Sequence, residues 1–100
     1  MIVTEIQKKG LSKFFVSGSV DPQKVSVHIS EVEPGNRLHA AHKHTGVETF
    51  YVFEGQVTVE VEGELFPLEA NQAMSVDATK PHGLFNSGTT RTKYMVIIAQ

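Results

Sequence analysis

Short apolar segments alternate with polar turns along the chain, and no stretch has the sustained spacing of an amphipathic helix. Residues 25–30 alternate strictly, with valine and isoleucine on one face and serine and histidine on the other. This two-residue period is typical of a half-buried strand. About eight to ten such short strands, separated by Gly, Pro, Asn and Asp, predict an all-β sandwich or barrel.

The segment 48–55 differs from the others because both of its faces are apolar, with Phe50 and Val52 on one face and Tyr51 and Phe53 on the other. We expect this strand to be buried on both sides, against the barrel interior and against a second sheet or a partner subunit. Gly63 supplies the turn of a hairpin over 56–68. The remaining predicted strands cover 2–6, 13–18, 25–35, 74–76 and 92–99.

A chain of 100 residues is the usual size of one domain, so we expect a single domain over 1–100. A core this small is marginal, and a homodimer would bury more apolar surface. The net charge is −2 and the basic residues are scattered, which predicts neither nucleic-acid nor membrane binding. The absence of cysteine excludes disulfides and thiolate metal sites. No signal peptide or spanning segment is recognisable, so we expect a cytoplasmic protein.

Three histidines, His39, His42 and His44, fall within one short segment, and Glu48 follows. On an extended strand, His42 and His44 point to the same side. The Thr45-Gly46 turn can bring the carboxylate of Glu48 alongside both rings. Imidazoles plus one carboxylate, with open coordination positions, are the arrangement of non-haem iron and related metal sites.

These residues resemble a known pattern. Gly35, His42, His44, Glu48 and Gly55 have the order of the first cupin motif, with one additional residue after the leading glycine. The second cupin motif resembles the downstream series Asp77, Thr79, His82 and Asn86. The resemblance covers essentially the whole chain, and it implies one cupin domain, a jelly-roll β-barrel also called a double-stranded β-helix.

The resemblance also implies a ligand set, His42, His44, Glu48 and His82, and a divalent transition metal. Iron, manganese, nickel, zinc, cobalt and copper all suit such ligands, so the sequence does not choose among them. The second motif departs from the family pattern at three positions. Asp77 replaces a proline, Thr79 replaces a glycine, and Asn71 replaces the leading glycine, although asparagine tolerates the left-handed conformation.

Other polar residues have weaker indications. His39 is placed at the rim of the pocket, as the candidate catalytic proton carrier, with replacement of His42 as a ligand left open. His28 is expected at the surface or at the pocket edge. Arg37 and Tyr51 are candidates for anchoring a substrate, and Asn86 is a candidate for holding a loop through its side chain. The apolar residues expected in the core or pocket wall are Phe50, Val52, Met74, Leu84 and Phe85.

Three functions are compatible with this pattern, since a cupin barrel alone does not determine activity. The first is a metal-dependent enzyme, of dioxygenase, isomerase or lyase type, that acts on a small organic molecule. The second is a non-catalytic module that binds or senses a small metabolite. The third is a dimeric barrel with a vestigial site, which the complete set of four ligands argues against.

Overall fold

The computed structural model describes residues 2–8, 11–17, 21, 23–37 and 40–100, the first two ranges for their backbone. Across these residues the chain forms nine β-strands and no helix. The all-β expectation and the expected number of strands are therefore confirmed. The strands are β1 (Ile2–Lys8), β2 (Leu11–Ser17), β3 (Val25–Val32), β4 (Val47–Glu54), β5 (Gln56–Val61), β6 (Glu64–Glu69), β7 (Ala73–Asp77), β8 (His82–Phe85) and β9 (Thr92–Ala99).

The strands form two antiparallel sheets. The large sheet has the order β1-β2-β3-β9-β4-β7, and the small sheet has the order β6-β5-β8. Strand β8 was not predicted, because its four residues lie between turn-rich segments and are too short to display a period. No helix long and apolar enough to cross a membrane occurs in the part of the chain that the structure describes.

The polarity of β3 is the reverse of the usual pattern for a half-buried strand. Its buried positions are His28, Ser30 and Val32, whereas Val25 is exposed and Ile29 is half-buried. The alternation was predicted correctly, but the polar face is the one that faces into the barrel. This placement gives the interior several hydrogen-bonding groups, which a purely structural core does not need.

Strand β4 lies between β9 and the edge strand β7 in the large sheet. Phe50 and Val52 face the core and are buried, as expected. Tyr51 is half-buried and Phe53 is 36% exposed, so the second face of this strand is not fully covered within one chain. The expected burial on both sides therefore requires something beyond the described residues. The core consists of Val32, Phe50, Val52, Val57, Val59, Leu68, Val76, Leu84, Tyr94 and Val96.

Candidate metal centre

Backbone hydrogen bonds join the two distant segments at the predicted ligands themselves. The amide of His42 donates to the carbonyl of His82 at 2.9 Å, and the amide of His82 donates to the carbonyl of His42 at 2.8 Å. Two residues after His42, the amide of His44 donates to the carbonyl of Ala78 at 2.8 Å. The amide of Ala78 in turn donates to the carbonyl of Gly46 at 3.0 Å. The backbone that carries the three imidazoles is therefore held by hydrogen bonds between the segment before β4 and the segment that begins β8.

The substituted positions of the second motif have local explanations. A carboxylate oxygen of Asp77 accepts hydrogen bonds from the amide and the hydroxyl of Thr79, at 3.0 and 2.6 Å. This Asx-turn shapes the loop before His82 where the family pattern uses proline and glycine. The same bonds from Thr79 lower the pKa of the Asp77 carboxyl. Asn71 has φ of 66°, so it adopts the left-handed conformation that was expected of it.

The turn between His44 and Glu48 depends on a glycine. Gly46 has φ of 99°, and a Cβ there would collide with the backbone carbonyl of Ala99. The close approach brings the start of β4 against the end of β9. Glu48, the second residue of β4, therefore faces inward with its carboxylate buried beside the histidines.

The four predicted ligands meet at one point. One ligand atom from each of His42, His44, Glu48 and His82 lies within 4.8 Å of the other three. The Nε2 atoms of His44 and His82 lie 3.4 and 3.1 Å from the two carboxylate oxygens of Glu48. The three imidazole rings pack edge to face, with centroids 4.9 to 5.1 Å apart. Sequence reasoning predicted this grouping, and it forms as a cluster able to hold a metal ion.

The orientation of the rings favours metal binding over simple ion pairing. The Nδ1 atom of His44 contacts the carbonyl of Thr45 at 2.9 Å, and that of His82 contacts the carbonyl of Lys80 at 2.8 Å. Because a carbonyl only accepts, each Nδ1 carries the proton and each Nε2 keeps its lone pair. Both Nε2 atoms are buried without a hydrogen-bond partner, although the carboxylate of Glu48 lies close. Converging buried lone pairs beside a carboxylate fit a divalent cation.

A cavity of about 360 Å³ extends from the cluster into the barrel. Inward-facing residues of β3, β9 and β4 pair in three layers, and burial increases from the first layer to the third. The cluster of His42, His44, Glu48 and His82 therefore lies near the rim of the cavity, because Glu48 belongs to the first layer. The layers are Ser26, Ile98 and Glu48 at the rim, His28, Val96 and Phe50 in the middle, and Ser30, Tyr94 and Val52 at the floor.

The floor holds two buried hydroxyl groups. Tyr94 and Ser30 face each other across β9 and β3, but neither hydroxyl has a hydrogen bond of good geometry. Burial is the main cause of a raised pKa of the Tyr94 phenol. The adjacent Ser30 hydroxyl lowers this pKa, and the negative charge of Glu48 raises it. Tyr94 is therefore a neutral phenol under ordinary conditions.

Other predicted site residues have different positions. His39 lies outside the described residues, so its role stays a prediction. The guanidinium of Arg37 donates to both carboxylate oxygens of Glu60, at 3.1 and 3.0 Å, and lies over the ring of Phe85. The hydroxyl of Tyr51 donates to Asn71 at 3.0 Å. Neither Arg37 nor Tyr51 lines the cavity.

The expected loop-holding role of Asn86 is confirmed. Its side-chain amide donates to the carbonyls of Val32 and Thr90, both at 2.8 Å, and its oxygen accepts from the amide of Gly88 at 2.9 Å. Among the apolar residues expected in the core or wall, Phe50 and Leu84 line the cavity and Val52 is fully buried. Met74 and Phe85 are only half-buried.

Two residues of the cavity were not assigned fully from the sequence. His28 is 6% exposed and lines the cavity, which agrees with the expected position at the pocket and not with the alternative position at the protein surface. Tyr94 was assigned only to a generic apolar strand. The signal that could have located them is the polar character of the second face of β3, since a strand with histidine and serine inside must border a cavity or a polar core.

A barrel of two antiparallel sheets, with three histidines and one glutamate grouped so that they could hold a metal ion, defines a class of small β-barrel proteins. The chain belongs to the cupin family: the Cupin_2 family of cupin domains matches residues 28–98. A curated relative, polyketide synthase CurC of Streptomyces cyaneus, is 38% identical over 58 residues, which cover 57% of this chain. The chain spans only 37% of the length of that relative.

Solved structures share the fold at low sequence identity. The Cupin_2 domain of an XRE family transcriptional regulator from Enterobacter cloacae has a TM-score of 0.79 and 18% identity, over 92% of this chain and 98% of that domain. A sugar phosphate isomerase of the cupin superfamily from Silicibacter pomeroyi has a TM-score of 0.78 and 19% identity, over 91% of this chain and 60% of that protein. These similarities confirm the jelly-roll barrel.

Proposed function

We propose that this cupin holds a divalent transition metal with His42, His44, Glu48 and His82 and uses it to bind and transform a small organic molecule. The observation that carries the proposal is the pair of buried Nε2 atoms, on His44 and His82, which lack hydrogen bonds and converge with the Glu48 carboxylate. Their Nδ1 atoms are occupied by backbone carbonyls, as is usual for histidines that bind metals.

A metal ion in this cluster would act as a Lewis acid toward an oxygen of the ligand, or would support redox chemistry, according to its identity. The residues of the chain would exclude water, orient the ligand and carry protons. The apolar wall formed by Phe50, Leu84 and Val96 would exclude water and orient the carbon skeleton of the ligand. His28, one layer below Glu48, is a second imidazole that could carry a proton, beside the predicted role of His39.

The relatives support an enzyme of unresolved reaction type. The sugar phosphate isomerase with this fold suggests proton transfer between carbon atoms, and the polyketide synthase suggests a substrate with several oxygen atoms. Dioxygenase, isomerase and lyase chemistry are all compatible with three imidazoles and one carboxylate. We therefore restrict the proposal to metal-dependent chemistry on a small oxygenated molecule.

A non-catalytic binding module is the second candidate. It is favoured by the similarity to the Cupin_2 domain of a transcriptional regulator, which this chain matches over nearly all of that domain. In this case the same cavity would capture a small metabolite without turnover. The cluster would then fix the orientation of the ligand rather than activate it.

Elemental analysis of untagged protein tests the proposed metal site. We expect close to one equivalent of a transition metal, removable by a chelator and restored by titration. Protein that carries no transition metal and binds none on titration would leave the proposal without support.

The enzyme and the module are then separated with a ligand found by thermal-shift screening. Product formation or oxygen uptake that disappears in His44→Ala supports the enzyme, whereas loss of binding without any turnover in the parent protein supports the module.

We further propose that two copies of the chain associate through the outer face of the large sheet, near Tyr51 and Phe53. Their rings pack edge to face at 5.2 Å, and Phe53 remains 36% exposed in the single chain. An apolar sheet face of this kind is usually covered.

A cytoplasmic location also stays a prediction, which localisation of the tagged protein in cells would test.

A further inference from the structure

Gln100 lies at the mouth of the cavity, directly after the end of β9. It follows Ile98 by two residues, and side chains two apart along an extended chain point to the same face. Both side chains line the cavity. The amide of Gln100 donates to the carbonyl of Lys24 at 2.7 Å, which extends the pairing of β9 with β3 by one residue. The backbone of Gln100 is therefore held in place at the rim.

The stem of the Gln100 side chain passes over a glycine. A Cβ built on Gly46 would lie 2.9 Å from Cγ of Gln100, which is closer than such atoms approach each other in proteins. Any other residue at position 46 would therefore push the glutamine away from the turn that follows His44. The glycine allows the end of β9 and this turn to approach closely, so the glutamine side chain reaches the turn.

A hydrogen bond fixes the orientation of the amide group at the end of this side chain. The hydroxyl of Thr45 donates to Oε1 of Gln100 at 2.7 Å. Because the amide oxygen is bound to Thr45, the amide nitrogen, which carries two N–H groups, points elsewhere. The carbonyl of the same threonine accepts from Nδ1 of His44 at 2.9 Å. One residue, Thr45, thus bonds both to a predicted metal ligand and to Gln100.

The predicted ligands do not themselves supply a hydrogen-bond donor to an oxygen atom of a bound molecule. The carboxylate of Glu48 only accepts, and the Nδ1 protons of His44 and His82 are donated to backbone carbonyls. An oxygen atom held by a divalent ion keeps lone pairs and negative charge, so a nearby N–H group stabilises it. A donor that is already oriented does this without reorganisation. The amide of Gln100 is such a donor at the rim.

We propose that Gln100 is a specificity-determining residue of this site. Its amide nitrogen donates a hydrogen bond to an oxygen atom of the molecule bound at the cluster of four predicted ligands, and Thr45 and Gly46 orient the amide for this contact. The inference rests on the proposed function, because it needs a metal ion that holds the bound molecule. It adds a preference for molecules that bind through oxygen over molecules that bind through nitrogen and present an N–H group to the rim.

Two small probes test this preference on the full chain. Acetohydroxamate binds metal ions through oxygen atoms that also accept hydrogen bonds, whereas imidazole binds through one nitrogen and its other nitrogen is a donor. The protein is first loaded with Zn²⁺ in a calorimetric titration, and each probe is then titrated into the zinc-loaded protein. Gln100→Leu should weaken acetohydroxamate binding about fivefold, the usual contribution of one hydrogen bond. It should weaken neither zinc nor imidazole binding.

Variants of Thr45 test whether the amide has to be oriented. Thr45→Val keeps the shape of the side chain but loses the hydroxyl, and it should weaken acetohydroxamate binding about twofold to threefold. Thr45→Ser keeps the hydroxyl and should bind the probe as the parent protein does. Gln72→Leu is the matched control, because Gln72 is exposed outside the cavity and its Oε1 also accepts a hydrogen bond, from the amide of Glu69 at 2.8 Å. It should leave all three affinities unchanged.

Zinc binding separates this inference from the proposed function. If zinc binds but Gln100→Leu keeps the full affinity for acetohydroxamate, or the parent protein binds neither probe, the metal site stands and the inference is wrong. A loss of zinc or imidazole affinity in Gln100→Leu would also overturn it, because Gln100 would then act only by holding Thr45 and His44 in place. Parental acetohydroxamate affinity in Thr45→Val would refute the orientation by Thr45. If no zinc binds, the proposed function and the inference both fail.

Discussion

Each face of the large sheet carries residues that a simple soluble barrel would place on the other face. Inside, β3 presents His28 and Ser30, and β4 presents the buried Glu48. Outside, the same two strands present Ile29 and Tyr51, which lie beside Met95 of β9 and are half-buried. The inner face therefore borders a cavity with polar walls, whereas the outer face is the surface on which we propose that a second copy packs.

The two faces also differ in how their polar groups are satisfied. On the inner face, buried atoms of His44, His82, Ser30 and Tyr94 lack a hydrogen-bond partner. On the outer face, the hydroxyl of Tyr51 bonds to Asn71 at 3.0 Å. Buried polar groups without partners cost stability, so several in one place mark a position where a metal, a ligand or ordered water would stabilise the protein.

Removal of a predicted ligand on the inner side should have the largest effect. His82→Ala and His44→Ala should each weaken zinc binding by at least about a hundredfold, since even residues that only support metal ligands are worth ten- to hundredfold. Calorimetric titration of metal-free protein measures this. Lys43→Ala, between two of the histidines in sequence but exposed, is the control and should bind zinc normally. Undiminished zinc binding in both histidine variants, with circular dichroism unchanged, would contradict the proposed site.

A charge on the outer face should have the next largest effect. We expect the protein to be a dimer in light scattering, and Phe53→Glu should weaken association by about a hundredfold, because two like charges would meet within an apolar interface. Leu65→Glu changes an even more exposed apolar residue, 60% exposed on β6, and should leave the dimer intact. A monomeric parent protein would show that the outer face is not covered by a second copy.

Loss of a phenol hydroxyl should change the free energy of unfolding in opposite directions on the two faces of the sheet. Tyr94→Phe should stabilise the ligand-free protein by about 1 kcal/mol, because it removes a buried hydroxyl that lacks a partner. Tyr51→Phe loses an exposed hydrogen bond and should destabilise it by about 0.5 kcal/mol or less. Urea unfolding of the two variants gives the comparison. A destabilised Tyr94→Phe protein would mean that the hydroxyl is already satisfied inside the barrel.

The smallest expected effect concerns an ion pair outside the cavity. The hydrogen bonds from Arg37 lower the pKa of Glu60 from its ordinary value of 4.5. A lowered folded-state pKa contributes stability above the ordinary value and loses it as pH falls through the folded-state pKa. Because the pair is partly exposed, Arg37→Gln should cost only about 0.5 kcal/mol at pH 7. Unfolding curves of both proteins should converge in acid, and a difference that persists there would contradict the electrostatic explanation.

Much of the fold could be predicted because short alternating segments and turn residues leave few alternatives to an antiparallel barrel. The strand β4 was predicted from its aromatic and β-branched residues, and the left-handed Asn71 from its place in the second cupin motif. Strand β8 could not be predicted. Its four residues form a strand because β5 pairs with them along their whole length and because Arg37 and His42 bridge to its two ends, contacts between segments more than twenty residues apart in the sequence.

The candidate site could be predicted only in part, because it also depends on contacts between segments that are distant in the sequence. His42, His44 and Glu48 are neighbours in sequence, so their spacing alone suggested a common ligand set. His82 gained meaning from its resemblance to the second cupin motif, and in the structure from two backbone hydrogen bonds to His42. Arg37 was a reasonable anchor for a substrate by its chemistry, but Glu60, twenty-three residues away, pairs with it instead.

By itself, the sequence determined the strand periods, the turns and the chemical types of the ligands, because these depend on residues close together along the chain. Only the tertiary structure decided which face of each strand lies inside. Alternation is symmetric and does not distinguish the two faces, so the choice depends on what other strands contribute to the interior. In β3 that choice placed His28 and Ser30 in the barrel with Tyr94. This choice produces a cavity with the four candidate metal ligands at its rim and buried hydroxyl groups at its floor.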